Sequence, residues 1–392
     1  MSNLIHTTAE RLAGEIGSRP VGTEENEKAQ GYLAGVARKL GYKIEELPFD
    51  CRRWEFGDSS LRVGSRRASI HPGPFSPELR GAFPLRVIES PEQLRRETFE
   101  GEFLLLRGAL AEEPLMPKDF PFYYPEEHKE IVDLLQEKRP AGVIALTGKH
   151  PLCGLDPYPL FEDGNLQIPN GYARAEGFPE GNHCEVDLIS SSVPSTGNQL
   201  IFSREGAAEK RIVLCAHVDT KYETPGALDN AAGVATLLRV MELLADVDLP
   251  FSLDLVPFNG EEYYEVSGQL SYLAYRNPSV DNTALVVNLD GLGHRDSANA
   301  FSSYNLSEEA ESRLDNILHG TDRAVRGDQW IAGDHSMFAF QGIPCVAVTS
   351  SNLMETVLRL THTPADSLEE LDTEILEGAA KSVAEILRAW EA

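Results

Sequence analysis

Side chains that could bind metal follow several apolar segments in the second half of the chain. Asp229 and Asn230 open one such segment, GALDNAAGVA, where helix capping is the simplest role for a carboxylate. The ends of the other apolar segments carry further imidazoles and carboxylates, namely His217 and Asp219, Glu261 and Glu262, Asp290, and His362 with Asp366. Taken singly, each of these has an ordinary explanation, such as a turn or a satisfied core histidine.

As a set, these residues point to a site for two metal ions. Carboxylates gathered at one sheet edge would raise one another's pKa unless cations neutralise them. Imidazole and carboxylate ligands favour zinc, with cobalt or manganese as substitutes. Two ions about 3.5–4 Å apart need a shared ligand, and Asp229, at a rigid helix start, is the candidate. Asp219, two residues after His217, is predicted to accept the other N–H of that imidazole.

The elements that must position these residues alternate along the chain after residue 199. Strands are predicted from the apolar runs IVLCAHVD, FSLDLVPFN, TALVVNLDG and IPCVAVTS, and helices from NAAGVATLLRVMELLAD and DTEILEGAAKSVAEILRAW. Unalternated apolar strands separated by helices indicate an α/β fold, a mixed and mostly parallel sheet sandwiched by helices. In such sheets, chemistry collects at the carboxyl ends of the strands.

Composition divides the chain near residues 50 and 190. Helical periodicity before residue 41 predicts two amino-terminal helices, the second capped by Thr23. The middle of the chain is rich in Pro and Gly, with short strand-like runs, one helix-like stretch, EEHKEIVDLLQEK, and the linker ISSSVPSTGN. We therefore expect residues 1–50 and 191–392 to form one catalytic domain, and residues 51–190 to form an inserted, smaller β-rich domain.

The charge and the cysteines narrow the choice of partners and location. A formal net charge of −27 argues against nucleic acid and anionic membrane surfaces as partners. No apolar run reaches the roughly 18 residues that span a bilayer, and no secretory start is seen. Five cysteines without a CxxC pair fit a reducing cytoplasm. The mature form of a secreted protein stays an alternative, and the sequence gives no oligomeric state.

Six motifs carry a resemblance to a known family. In order, HVD, GALDNAAG, NGEEYYEVSG, NLDG, GDHSMFAFQGIP and THTPADS resemble the landmarks of the zinc-dependent aminopeptidase and glutamate carboxypeptidase family, metallopeptidase family twenty-eight. The segment SRPVGTEENEKAQGYLAGVARKLGY is similar to that family's amino-terminal helices. The inserted segment resembles, more loosely, a protease-associated domain.

The resemblance implies a role for each candidate residue. It implies two Zn²⁺ per chain, one held by His217 and Asp290, the other by Glu262 and His362, with Asp229 bridging them. Glu261 matches the general base, and Asp219, the predicted partner of His217, is counted with it as a catalytic residue. The Asp229–Asn230 peptide bond is expected to be cis. Asp334 and His335, in GDHSMF, match a motif near the site and are expected to line it.

The implied activity is metal-assisted hydrolysis of the amino-terminal bond of peptides, with proton transfer by Glu261. The alternatives are a single-zinc acyltransferase of the glutaminyl-cyclase type, a carboxypeptidase, and a non-catalytic receptor-like binding protein. Metal stoichiometry separates the first from a dizinc enzyme, and substrate profiling separates the second. Some relatives place a carbonyl-polarising Tyr before the last histidine; SSNLMETVLRLT has none, so no oxyanion donor is assigned.

Overall fold

The structure is a computed structural model of the 392-residue chain, and it describes residues 4–116, 125–161 and 166–390. The chain separates into two compact units. Residues 1–51 and 195–392 form one, called here the sheet unit, and residues 52–194 form the other, called the barrel unit. Composition placed these boundaries at residues 50 and 190.

Strands and helices are numbered in chain order over the described residues. The strands are β1 (Lys43–Phe56), β2 (Ser59–Val63), β3 (Arg66–Pro72), β4 (Leu79–Ile88), β5 (Phe103–Leu106), β6 (Gly142–Thr147), β7 (Asn170–Arg174), β8 (His183–Leu188), β9 (Ser190–Arg204), β10 (Arg211–His217), β11 (Ser252–Phe258), β12 (Thr283–Leu289), β13 (Asn299–Tyr304), β14 (Ala324–Arg326) and β15 (Cys345–Ser350). The α-helices are α1 (Leu4–Ala9), α2 (Glu24–Lys39), α3 (Pro91–Arg96), α4 (Glu126–Lys138), α5 (Ala232–Leu244), α6 (Ser267–Arg276), α7 (Glu308–His319), α8 (Ser336–Ala339) and α9 (Thr373–Ala389).

The sheet unit is built on one mixed sheet. Its eight described strands lie in the order β1-β9-β11-β10-β12-β15-β13-β14. The four central strands are parallel, since β10 pairs in parallel with β11 and β12, and β12 with β15. Strands β9 and β13 run antiparallel to β11 and β15. The prediction of a mixed, mostly parallel sheet is confirmed.

Helices cover both faces of the central strands. Every residue of β11, β12 and β15 is buried, as the unalternated apolar runs predicted. On one face α5 packs against β10 and β12, and α1 and α9 pack against α5. Leu255 of β11 joins that core, whereas Phe258, three residues on, points to the other face. On that face the centroid of the Phe258 ring lies 5.4 Å from the centroid of the Tyr272 ring of α6.

The amino-terminal helices begin and end near their predicted bounds. The Thr23 side chain accepts the N–H of Asn26 at the start of α2, and Gly41 follows the helix with a φ of 80°. The first predicted helix divides into α1 and a π-helix, Glu10–Ile16, which Gly17 follows. Periodicity missed this division because one wide turn shifts the apolar spacing only slightly.

The barrel unit has its own apolar interior. Its described strands close into a barrel in the order β2-β3-β7-β6-β5-β4-β8, in which β4, β5, β6 and β7 pair in parallel. The helix predicted from EEHKEIVDLLQEK is α4, with the same bounds. Its residues Ile131, Val132 and Leu135 pack with the apolar side chains of β5 and β6.

The cysteines and the helix lengths concern the predicted cellular location of the protein. All five cysteines lie in the described residues, and all are buried and unpaired. Cys215 in β10 and Cys345 in β15 are fully buried, as small apolar side chains are. In the described parts of the chain, no helix has the length and apolar character needed to cross a bilayer.

Replacing residues 52–194 with a short Gly/Ser bridge should leave a folded sheet unit that still binds metal. Strands β1 and β9 are neighbours in the sheet, so Cys51 and Ser195 lie about one strand spacing apart, ~5 Å. Both side chains also flank Gly22. Circular dichroism melting and zinc uptake, each compared with the full chain, check this. A bridged chain that neither folds nor binds zinc would place the boundary elsewhere.

Candidate metal centre

The five predicted ligands lie at one edge of the sheet unit. His217 is the last residue of β10, Asp290 follows β12, and Glu262 lies in the turn after β11. Asp229 lies just before α5, and His362 lies in the loop after β15. Because the carboxyl ends of parallel strands meet at one sheet edge, the fold brings together side chains that are far apart in the chain.

The carboxylate of Asp229 stands between two imidazoles. Its Oδ1 lies 2.9 Å from His217 Nε2, and its Oδ2 lies 3.2 Å from His362 Nε2. A second carboxylate faces each imidazole: Asp290 Oδ1 is 3.4 Å from His217 Nε2, and Glu262 Oε1 is 2.8 Å from His362 Nε2. The ligand atoms thus form two groups of three that share Asp229.

This arrangement fits a pair of zinc-type ions. Tetrahedral ligands about 2.0–2.2 Å from one zinc lie roughly 3.4 Å from one another, close to the 2.8–3.4 Å between the imidazole and carboxylate atoms. The Nε2 atoms of His217 and His362 each face two carboxylate oxygens. A single N–H group can donate a good hydrogen bond to only one of the two oxygens. Imidazole nitrogen with carboxylate oxygen is a donor set that zinc favours and that cobalt and manganese also accept.

The backbone at Asp229 is shaped by its neighbour Asn230. The Asp229–Asn230 peptide bond is cis, which confirms the expectation from the family resemblance. Asn230 Nδ2 donates to the carbonyl of Leu289 at 2.8 Å, and Asn230 Oδ1 accepts the N–H of Gly233 at 2.9 Å. Asn230 therefore caps the first turn of α5, and the carboxylate of Asp229 is left for the site.

Two residues of the site have a positive φ. Gly226 has a φ of 60°, and a Cβ there would lie 2.4 Å from Thr220 Cγ2 and 2.5 Å from the carbonyl oxygen of Asp229. Only glycine fits this turn. His362 also has a φ of 61°, a conformation that costs about 1–3 kcal/mol and collects at functional sites.

Asp219 holds the turn that carries the two glutamates. Its Oδ1 accepts the N–H groups of Gly260 at 3.0 Å and Glu261 at 3.3 Å, and its Oδ2 accepts that of Glu262 at 3.0 Å. His217 Nδ1 lies 3.1 Å from the main-chain carbonyl of Asp219 but 3.8 Å from its carboxylate. The spacing of the two residues predicts that the carboxylate accepts the imidazole N–H; the main-chain carbonyl accepts it instead, because the turn engages the carboxylate.

Glu261 and Glu262 have different electrostatic surroundings. Burial alone would raise the pKa of Glu262, but His362 and Lys221 outweigh it and hold that pKa below its usual range. Lys221 Nζ lies 3.4 Å from Glu262 Oε2. Burial raises the pKa of Glu261 well above its usual range, and the charges of Glu262 and Asp290 raise it further. A carboxylate that stays ionised suits a metal ligand, and one with a raised pKa suits proton transfer.

Asp334 and His335 differ in what they offer the site. Asp334 Oδ1 accepts from Gln269 Nε2 at 2.9 Å, its Oδ2 has no partner among the described residues, and burial raises its pKa to about 7. His335 is fully buried, with Nε2 2.9 Å from the carbonyl of Trp330 and Nδ1 3.4 Å from Asn288 Nδ2. Burial lowers its pKa to about 4. His335 is therefore a neutral, buried ring whose two nitrogens contact Trp330 and Asn288.

The fold also brings three other charged residues to the site: Lys221 and Arg19, which no sequence pattern indicated, and Asp366, which was predicted only as one of the candidate carboxylates. Burial lowers the pKa of Arg19 to about 10, and burial followed by the charge of Asp229 raises the pKa of Asp366 to about 6. The position of Asp366, four residues after His362, was the only cue in the sequence. Arg19 precedes His217, the first of the other site residues, by 198 positions, so no local spacing indicated it.

Comparison with known proteins identifies the family. Residues 199–387 match the model of Peptidase family M28. The matched span contains the five candidate ligands together with Asp219 and Glu261. The matched residues therefore form a domain of Peptidase family M28.

Solved structures share the fold at low sequence identity. The aminopeptidase from Aneurinibacillus sp. strain AM-1 has a TM-score of 0.75 and 17% identity, over 100% of this chain and 96% of that chain. BSAP, a zinc aminopeptidase from Bacillus subtilis, has a TM-score of 0.74 and 20% identity, over 98% and 94%. A glutaminyl cyclase from Bacteroides thetaiotaomicron has a TM-score of 0.52 and 15% identity, over 99% and 98%. These likenesses concern the fold alone.

One curated relative matches a shorter stretch. The alkaline phosphatase isozyme conversion protein of Escherichia coli (strain K12) is 29% identical over 111 residues. The match covers 25% of this chain and 32% of that protein. The chain therefore spans about a third of the length of the curated relative it matches.

Exchanging Asp229 for Ala should reduce the occupancy of both metal positions, because its two oxygens face different imidazoles. His217→Ala and His362→Ala should each weaken mainly one position, and they serve as matched controls. Elemental analysis after dialysis against limiting zinc gives the metal content of each variant. Full occupancy of both positions in Asp229→Ala would refute the bridge.

Proposed function

We propose that this protein is a dizinc aminopeptidase that hydrolyses the amino-terminal bond of peptides. One observation carries the proposal: Asp229 directs its two oxygens at the imidazoles of His217 and His362, at 2.9 and 3.2 Å. The domain of Peptidase family M28 supports peptide hydrolysis. The fold shared with a zinc aminopeptidase supports the metal and the exopeptidase activity.

In this proposal the five candidate residues divide the two ions between them. One ion is held by His217 and Asp290, the other by Glu262 and His362, and both by Asp229. When bound, such a pair supplies an activated water and positive charge that polarises the scissile carbonyl. Cobalt or manganese would bind the same donor set.

The protein's own groups move the proton and keep the ligands in place. Glu261 accepts the proton of the attacking water and donates it to the leaving amine. Asp219, through three backbone N–H groups, fixes the turn so that Glu261 and Glu262 keep separate directions. Lys221 offsets the charge on the outer oxygen of Glu262, which favours the ionised state that a metal ligand needs.

The alternatives fit the site less well. A single-zinc acyltransferase needs one ligand group, whereas two complete groups share Asp229. A receptor-like protein needs no metal ligands. Here each of the five candidate ligands lies within 3.4 Å of another candidate ligand. Action from the carboxyl end of a peptide uses the same centre and is distinguished by substrate alone.

We further infer that the barrel unit is a protease-associated-like domain and that the protein acts in the cytoplasm. The parallel strands β4 to β7, with α4 packed beside β5 and β6, support the first inference. The five unpaired cysteines support a reducing compartment.

Aminoacyl-anilides and short peptides should be cleaved only when their amino terminus is free. Activity should disappear with a chelator and return with zinc or cobalt, since in this proposal the attacking water is activated by the metal pair. Chromatography of the products, with the N-acetylated form of each peptide as control, identifies the bond cleaved. Release of carboxyl-terminal residues from acetylated peptides would indicate a carboxypeptidase. Cyclisation of amino-terminal glutamine with about one zinc per chain would indicate the cyclase.

Glu261→Gln and Glu262→Gln should separate proton transfer from metal binding. Glu261→Gln keeps the size and hydrogen bonding of the side chain but cannot shuttle a proton, so kcat should fall at least ~10²-fold. It should retain both metals and bind substrate. Glu262→Gln should instead lose metal. Metal content beside turnover for both variants is the measurement, and near wild-type turnover by metal-loaded Glu261→Gln would rule out this mechanism.

A further inference from the structure

Two buried charged side chains outside the proposed ligand set contact the backbone that carries Asp229. Arg19 lies between the first two helices, and Asp366 follows His362 by four residues. Both are fully buried. A buried charge is costly unless hydrogen bonds satisfy it, and both side chains find hydrogen-bond partners in the segment from Val218 to Asp229.

Arg19 binds the carbonyl groups of this segment. Its Nε donates to the carbonyl of Val218 at 2.7 Å, directly after β10. Its Nη1 donates to the carbonyl of Pro225 at 2.8 Å, and its Nη2 to that of Gly226 at 3.0 Å. Nη1 also reaches the carbonyl of Gly17 at 3.1 Å. One planar guanidinium therefore ties together the two ends of the loop from β10 to the turn at Gly226.

Asp366 binds the amide groups of the same segment. Its Oδ1 accepts the N–H of Leu228 at 2.7 Å, and its Oδ2 accepts the N–H of Asp229 at 3.1 Å. Its main-chain carbonyl accepts the N–H of Ala227 at 3.3 Å. Three successive amides are thus fixed by a single residue.

We propose that Arg19 and Asp366 form a positioning clamp that aims the carboxylate of Asp229 at both metal positions. This inference rests on the two-metal function proposed above. The guanidinium of Arg19 fixes the carbonyls of this segment, and the carboxylate of Asp366 fixes the amides of Leu228 and Asp229. Turning this segment would break charge-assisted hydrogen bonds on both sides. The clamp touches neither metal nor substrate, so it acts through Asp229.

A clamp of this kind predicts a loss of metal affinity at both positions. Groups that orient metal ligands from outside typically change affinity about 10- to 100-fold. In Asp366→Asn, an NH₂ group replaces one acceptor oxygen, so the N–H of Leu228 or of Asp229 loses its partner. Zinc titration against a competing chelator should show binding of both ions weakened by that factor. The visible spectrum of the cobalt-loaded variant should change as well, because the ligand geometry at the bridge changes.

Asp254→Asn is the matched control. Asp254 is fully buried in β11 and bonded to Arg211, Arg276 and Tyr272. It lies near the start of that strand, at the end of the sheet away from the turn with Glu262. The control removes an equally buried charge, so it should lower the melting temperature while leaving zinc affinity and the cobalt spectrum as in the wild type.

Two results would overturn the clamp. One is wild-type affinity and spectrum in Asp366→Asn; the other is an equal loss of affinity in Asp254→Asn, which would indicate general destabilisation. If Asp366→Asn does not fold, Arg19→Lys decides, because it keeps the charge but cannot reach all these carbonyls. Unchanged zinc affinity in Arg19→Lys would then overturn the proposal. Uptake of fewer than two ions by the wild type would contradict the proposed function, while the ratio of variant to wild-type affinity would still test the clamp.

Discussion

The carboxylate of Asp229, held between the imidazoles of His217 and His362, is the contact on which the rest of the site depends. It links the end of β10 to the loop after β15, two places that are far apart in the chain. The same place gathers further carboxylates: burial raises the pKa of Glu261 and Asp290, and the charges of neighbouring carboxylates raise it further. Bound divalent cations would neutralise these carboxylates. Metal binding would therefore offset the free-energy cost of burying several negative charges close together.

Such a site needs a backbone that does not move. Strand ends and loops leave N–H and carbonyl groups without partners in the sheet, and buried groups of this kind must be satisfied. Asp219 satisfies three N–H groups of the glutamate turn, Asn230 caps α5, and Arg19 with Asp366 binds the segment before Asp229. The charged residues around the centre thus divide between those that face the metal positions and those that hold the backbone.

The sheet unit supplies all of the candidate ligands and the candidate base, and its core is continuous from α1 to α9. The barrel unit has separate apolar clusters of its own. Each unit therefore has an apolar core of its own. The motifs lie outside residues 52–194, so the sequence of the barrel unit predicted strands and a helix but no catalytic or metal-binding residues.

By itself the sequence determined the features that depend on local spacing and residue chemistry. Unalternated apolar runs predicted the central parallel strands, capping and periodicity predicted α2 and α4, and the strand-end residues predicted the ligand types. Only the tertiary structure decided which oxygen of Asp229 faces which histidine, that a carbonyl of Asp219 orients His217, and that Arg19 reaches the loop after β10. The physical reason is that these contacts join segments up to about 200 residues apart, and their partners are chosen by the path of the chain in space.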